Sequence, residues 1–414
     1  MRPTTFALLA MLQAPDVKRL LESGPDGSFR IRYAVAPDVC ATETSLRIGS
    51  SGDSGDGWAV YSNGPSGQGC DRGPAVVLVT RNAGRVTSIR IGVGASRTAA
   101  NDLGLVSAPG AARAFLAIAS EQDGRVGREA VLAAIIADSA DVGGDLLALA
   151  RGGSHSRGLR ETAVGWVGRA VGRSGSPGDL SRSLGALAGD RDVPESVRTR
   201  AAAALGRSGD GAVAVLVELA TRSDAAVAMV AVQALARVGG AGSRRAIRTL
   251  AGDGSAPAAA RLEAIKALGN RDAVPEDLAL LRRMWPTLLA EGTRHAALDA
   301  LGEAGGADNA RWLAGLVADT ALKATDRARA VRAAERAGTG SAELTRLYQR
   351  ETDRAVKMAV LEALGRIADR TANETIRVAA ERDTDPQLRR AAVRWLSRAG
   401  GEEGRDLLRN MVER

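Results

Sequence analysis

Few residues of this 414-residue chain stand where chemistry could be done. It has two histidines, His155 and His295. Each is alone in its stretch, so the sequence draws neither a two-His metal site nor a Ser-His-Asp set. Asp53-Ser-Gly-Asp56-Gly begins like a calcium loop. It lacks the later carboxylates and the closing bidentate Glu of an EF-hand, and Gly with Asp also makes ordinary turns. Gly49-Ser-Ser-Gly52 is no phosphate loop, because no Gly-Lys-Ser/Thr follows. The carboxylates read as solvated charges spread along helices, with no pair isolated in an apolar setting that would raise a pKa. No catalytic residue, cofactor or metal is expected, and the chain is expected not to be an enzyme.

Cys40 and Cys70 are the two cysteines, with no CxxC pair and no metal-type spacing. A disulfide between them would staple a thin-cored domain; two unrelated buried thiols are the alternative. The strongest recurrent charge is a basic residue at Arg160, Arg198, Arg261, Arg294, Arg327, Lys357 and Arg389. Spaced once per repeat, these should form a stripe. It could be a track for phosphates or acidic peptides. The favoured reading is a structural ladder, each Arg bonding a helix-start Asp or a loop carbonyl.

The element that positions this row is a phrase. Arg294-x-x-Ala297-x-x-x-Leu301-Gly302 returns at Arg261-x-x-Ala264-x-x-x-Leu268-Gly269 and at Arg198-x-x-Ala201-x-x-x-Leu205-Gly206. Aligned on its last apolar residue it occurs eight times, at Val167, Leu205, Leu235, Leu268, Leu301, Ala334, Leu364 and Leu396, in steps of 30 to 38 residues. Four residues earlier stand Ala163, Ala201, Ala231, Ala264, Ala297, Ala330, Val360 and Ala392. An i, i+4 pair lines one helix face, and Ala there lets a neighbouring helix approach. The Gly at 168, 206, 269, 302 and 365 reads as a helix C-terminus. Shorter apolar helices follow, as at Leu278 with Leu281, Leu313 with Val317, Leu344 with Leu347, and Leu407, Leu408 and Met411.

Two helices per repeat, stacked, bury a core that no single repeat could bury. The phrase resembles the HEAT-repeat family, and within it the short bacterial HEAT-like repeats also seen in phycobilisome-lyase-type proteins. The resemblance covers about 260 of the 414 residues. Residues 154–190 and 322–352 depart from it, with a long first step and Ala334-Glu335 in place of Leu-Gly. It implies a fold rather than an activity. HEAT-like metal hydroxylases carry paired His-Glu motifs, and none is present. HEAT-like DNA glycosylases stack bases near aromatics. Here Trp166 and Trp395 lie in first helices and Trp285 and Trp312 in second helices, so no stacking platform is expected.

The N-terminal quarter differs in period. Phe29 to Val35 and Val86 to Val93 alternate apolar and polar, and Ala75 to Val79 is a β-branched run. Leu46 to Ile48 and Trp58 to Tyr61 are shorter strand candidates. Asn82-Ala83-Gly84 should close a hairpin. Before them, the apolar run from Phe6 to Leu12 resembles a short secretory signal; a first helix running on through Leu21 is the alternative.

Apolar residues make up 45% and aromatics 3%, so a core must be built from Ala, Val and Leu, which suits closely packed helices. The net charge of +8 invites nucleic acid, but no run of five or six like charges occurs. The expected fold class is mainly α, an α-α superhelical solenoid of HEAT-like hairpins behind a small antiparallel β domain. The expected organisation is a signal at 1–14, the β domain with Cys40–Cys70 at 15–105, a helical bridge at 106–153 and about eight hairpins at 154–414. The expected function is a non-catalytic bacterial scaffold, periplasmic or secreted, binding another protein through its concave surface. The alternatives are a cytoplasmic location, nucleic-acid binding through the Arg row, and a less favoured lyase-like or DNA-glycosylase-like enzyme.

Overall fold

The structure is a computed structural model. It describes residues 17, 19, 21, 25–41, 46–48, 58–60, 71–94, 101–171, 177–270 and 272–399. The chain divides into two compact units, residues 1–240 and 241–414.

The first unit opens with strands β1 (Gly27–Tyr33), β2 (Val39–Ala41), β3 (Leu46–Ile48), β4 (Trp58–Val60), β5 (Ala75–Asn82), β6 (Arg85–Val93) and β7 (Asn101–Leu105). One sheet has the order β6-β5-β1-β7 and the other β2-β3-β4. β5 and β6 form the expected hairpin, with Ala75 opposite Val93. Ala83 and Gly84 both have positive φ, 51° and 74°, the backbone that a two-residue turn between twisted strands requires. Asp26 fixes it by accepting from both of their amides. The small domain is not purely antiparallel, because β7 joins β1 in parallel.

Helices α1 (Ala108–Glu121), α2 (Gly124–Ile135), α3 (Gly143–Arg151), α4 (Arg157–Val171), α5 (Pro177–Gly189), α6 (Glu195–Leu205), α7 (Val213–Arg222) and α8 (Ala225–Val238) complete this unit. α2, α4, α6 and α8 stack one on the next, and α1, α3, α5 and α7 form a second row. So α2 already occupies the first-helix layer, ahead of residue 154.

The sheet is stitched to this start. The Tyr33 hydroxyl donates to the Ala133 carbonyl at 2.7 Å, and its ring lies 6.1 Å from that of Phe115. The Ala36 amide donates to Ile136 and the Asp138 amide to Ala34. Burial pushes the Tyr33 hydroxyl pKa up, so it stays a donor. Arg169 on α4 grips Asp38 with both terminal nitrogens.

The second unit holds α9 (Gly240–Gly252), α10 (Ala258–Leu268), α11 (Pro275–Met284), α12 (Glu291–Ala304), α13 (Ala307–Ala318), α14 (Ala324–Arg336), α15 (Ser341–Arg350), α16 (Arg354–Ile367), α17 (Arg370–Arg382) and α18 (Pro386–Ala399). Here α10, α12, α14, α16 and α18 stack as first helices. Asp224 caps α8 and Asp353 caps α16 by accepting first-turn amides. Leu407, Leu408 and Met411 lie outside the described residues.

The phrase is the seam of the first layer. All eight residues from Ala163 to Ala392 at its centre are fully buried. Its Gly bears out the expectation of a helix stop at Gly206 and Gly269, which cap the ends of α6 and α10, and corrects it at three other places. Gly168, Gly302 and Gly365 lie inside their helices. A Cβ on Gly302 would sit 2.9 Å from the Ala333 backbone, and one on Gly168 would sit 2.7 Å from the Ala204 carbonyl oxygen. Gly is there because the next first helix touches the chain at that point. α8 and α12 end on later glycines, Gly239 and Gly305, with φ of 69° and 70°.

Candidate functional site

The basic row is built into this seam. The Arg160 Nε donates to the Ala150 carbonyl at 2.8 Å, Arg261 to Ala251 at 3.1 Å and Arg327 to Val317 at 2.9 Å. Each acceptor is ten residues back, in the last turn of the preceding second helix, where carbonyls lack intrahelical partners. Arg198 bonds the Val193 carbonyl and pairs with Asp224. Arg294 lies 3.1 Å from Asp326 and also reaches the Leu289 carbonyl. Arg327 pairs with Glu351 and Lys357 with Asp383, each in the following connection. The Arg389 Nη1 donates to the Asp383 carbonyl at 2.7 Å. Arg160, Arg198 and Arg327 are 6 to 8% exposed. Heads so engaged and buried cannot track a phosphate backbone.

Carboxylates were expected on solvated faces, and several are instead buried ties. Asp277 is 2% exposed and accepts from Arg244 and Arg248 on α9. Asp326 is 4% exposed between Arg294 and His295. Asn309 is 2% exposed, accepts from Arg282 on α11, and donates to the Leu301 and Gly305 carbonyls. The Ser341 hydroxyl meets Asp369 at 2.6 Å. α9 is thus tied to α11, α11 to α13, and α15 to α17. Among the described residues no such side-chain tie joins α13 to α15.

A groove of about 650 Å³ lies there instead. Its α13 wall is made of small residues, Ala310, Ala314, Gly315 and Ala318. Its floor is the buried Arg327–Glu351 pair. A second groove of about 640 Å³ lies between α15 and α17. Lys357, the only Lys of the row, stands in it 4.5 Å from the centre of the Tyr348 ring. The Tyr348 hydroxyl donates to Asp383 at 2.6 Å. Burial works to raise the Asp383 carboxyl, but Lys357 and Tyr348 outweigh it and hold it below the usual range. Burial and that carboxylate together push Tyr348 up. Lys357, Tyr348 and Asp383 therefore satisfy one another, leaving the Thr345–Thr375 hydroxyl pair and the half-exposed Val378 toward an occupant.

A third groove, of about 570 Å³, lies on first helices and includes Lys266, His295, Asp299 and Arg329. His295 Nε2 is 3.0 Å from Asp326, and Asp299 binds Arg329 and Arg336. His155 belongs to the other unit, beside Gly152. Trp285 and Trp312 meet edge to face at 5.9 Å, with Trp285 buried; Trp166 is buried and Trp395 half-buried. Asp53, Asp56 and Cys70 lie outside the described residues, and Cys40 is in β2. Among the described residues no group of three His, Cys, Asp or Glu could hold a metal. No described helix is long and apolar enough to cross a membrane.

Residues 341–414 match the HEAT-repeat family model. No curated protein sequence matches the chain. Among solved structures it is similar to human deoxyhypusine hydroxylase in complex with glycerol, at 18% identity over 62% of this chain and 94% of that one, TM-score 0.26. It is similar to the complex of CpcE and CpcF of phycocyanin lyase from Nostoc sp. PCC7120, at 18% identity over 66% and 94%, TM-score 0.24. It is also similar to lipovitellin, at 11% identity over 84% of this chain and 42% of that one, TM-score 0.35.

These likenesses concern the fold alone. They correct one expectation. The similar structures include a hydroxylase and a lyase, so this helical architecture does not set catalysis aside, and the expectation of a non-enzyme is withdrawn. The chain carries HEAT repeats at residues 341–414, behind a small β region and a helical array of the same build.

Proposed function

We propose that the second-helix face of residues 307–382 docks another protein. The observation that carries this is the contrast in filling. Gly269 and Gly302 on first helices lie against Ala300 and Ala333, and that row carries one groove of about 570 Å³, whereas α13, α15 and α17 leave two neighbouring grooves of about 650 and 640 Å³ open, with Val378 39% exposed at one of them. A stiff repeat array with open grooves suits recognition of an extended partner surface. A photo-crosslinking residue at Val378 should capture a partner in the native cell, and the same residue at Val393, on the first helix α18, should not. Equal capture at both positions, or none at either, overturns the reading. The basic row supports no rival nucleic-acid reading, because its members are bonded within the array.

We also propose that Cys40 and Cys70 are joined. The neighbours of the two cysteines pair as a β-bridge, the Ala41 amide donating to Asp71 and the Asp71 amide to Ala41. Such a bond fits an exported chain in an oxidising compartment. Closing a loop of this length stabilises by about 3.7 kcal/mol. Thiol labelling of the denatured, unreduced protein should find no free thiol, and finding two would remove the bond.

A further inference from the structure

We propose that the groove between α13 and α15 is an anion-receiving site, and that it takes an acidic segment of the docked partner. The inference rests on the docking reading above and names the chemistry of the occupant.

Three observations meet in this groove. First, α15 starts at Ser341 with Gly340 at its cap position and no side-chain cap, whereas α16 and α17 are capped by Asp353 and Asp369. Helix N-termini with free amides favour negative charge. Second, Thr339, one residue before that cap, lines the groove and is 7% exposed, and its hydroxyl has no hydrogen-bond partner. A buried hydroxyl is costly to leave unpaired, and an incoming carboxylate could accept from it. Third, the lining holds Arg311, Arg327, Arg346 and Arg350 against Glu343 and Glu351.

The floor pair Arg327–Glu351 is internally neutral and buried. Arg346 pairs with Glu343 one turn away, and Arg311 with Asp308 in the same manner, all on exposed side chains. Such pairs are weak and exchange readily for a better partner. Among the described residues Arg350 has no ion pair, and it stands exposed at the groove. The groove therefore offers a free hydroxyl beside the uncapped start of α15 and, about 14 Å along that helix, an exposed guanidinium, with small Ala and Gly residues opposite.

The test uses the full chain and a fluorescent peptide of ten glutamates at low salt, read by anisotropy. Inorganic phosphate and a random duplex DNA serve as separate competitors. Arg350→Glu should weaken peptide binding at least tenfold. Thr339→Val, which keeps the volume and removes the hydroxyl, should weaken it severalfold while the melting temperature stays or rises. Arg382→Glu, in the neighbouring groove, should leave affinity within twofold. Equal losses from Arg350→Glu and Arg382→Glu would mean a diffuse basic surface and overturn the site. So would absence of peptide binding, or competition by duplex DNA far stronger than by free peptide. Capture at Val378 that persists unchanged in Arg350→Glu would leave the docking face standing and remove only its acidic occupant.

Discussion

The two helix layers of residues 241–399 draw on the same residues and pack in opposite ways. In the first layer Gly269 meets Ala300 and Gly302 meets Ala333, so the backbones nearly touch there. In the second layer Gly315 faces nothing within 4 Å of where its Cβ would be. Small residues thus close one layer and open the other. The two differ in whether a neighbouring helix lies against them. In the first layer Arg198 to Asp224 and Arg294 to Asp326 join one helix to the start of the next. Between α13 and α15 no described side-chain tie does and a groove opens, and a second opens between α15 and α17 beside the Ser341–Asp369 and Thr345–Thr375 bonds.

The contrast can be broken most sharply at its strongest tie. Arg327→Met should cost about 3–5 kcal/mol, because it leaves Glu351 buried without its cation. The Thr352 and Asp353 amides still donate to Glu351, which favours the lower end. Chemical denaturation measures it, and a loss below about 1 kcal/mol would mean that the ladder does not hold the layer.

A matched pair of glycines sharpens the comparison. Gly302→Val should cost about 2–3 kcal/mol by overpacking against Ala333. Gly315→Ala, inside α13 with open space around it, should stabilise by about 0.5–1 kcal/mol. Equal effects at the two sites would erase the distinction between layers.

The smallest expected effect is on pH dependence. The Arg198 guanidinium bonded to Asp224, together with the Val227 amide, holds the Asp224 carboxyl below its ordinary range. Its folded pKa is thus lower than the unfolded value of about 3.9. The stability it lends is full above that value and is lost as pH falls through the folded pKa. Asp224→Asn should therefore lower the melting temperature at pH 7 slightly and flatten its decline below about pH 4. An unchanged acid profile would show that this pair is spent in solvent.

The phrase made the helices and their buried faces legible, because an i, i+4 pattern of Ala and Leu has one physical meaning on a helix. Its Gly was legible only in part, because Gly206 and Gly269 end their helices whereas Gly168, Gly302 and Gly365 do not. A Gly at that place serves equally as a left-handed stop or as a point of close approach, and the difference lies in a residue some thirty positions away. The sequence also displayed Asp277, Asp326 and Asn309 as ordinary polar residues. Their burial depends on which arginine the fold brings to them. β7 escaped detection because Asn101-Asp-Leu-Gly-Leu105 has turn composition, and only its pairing with β1 makes it a strand. The grooves follow from distances between helices a repeat apart, which no local pattern encodes.

A stack of like hairpins has no natural beginning. The surface that receives the next hairpin inside the array would, at an open end, receive one from another copy, and such head-to-tail addition grows without limit. In this chain the residues from Ala130 to Ala137 at the end of α2 are all buried. The sheet reaches them through Tyr33, Ala34 and Ala36. A β layer is not the surface that a helical hairpin presents, so at this junction the stack of the first unit meets a sheet instead of another hairpin.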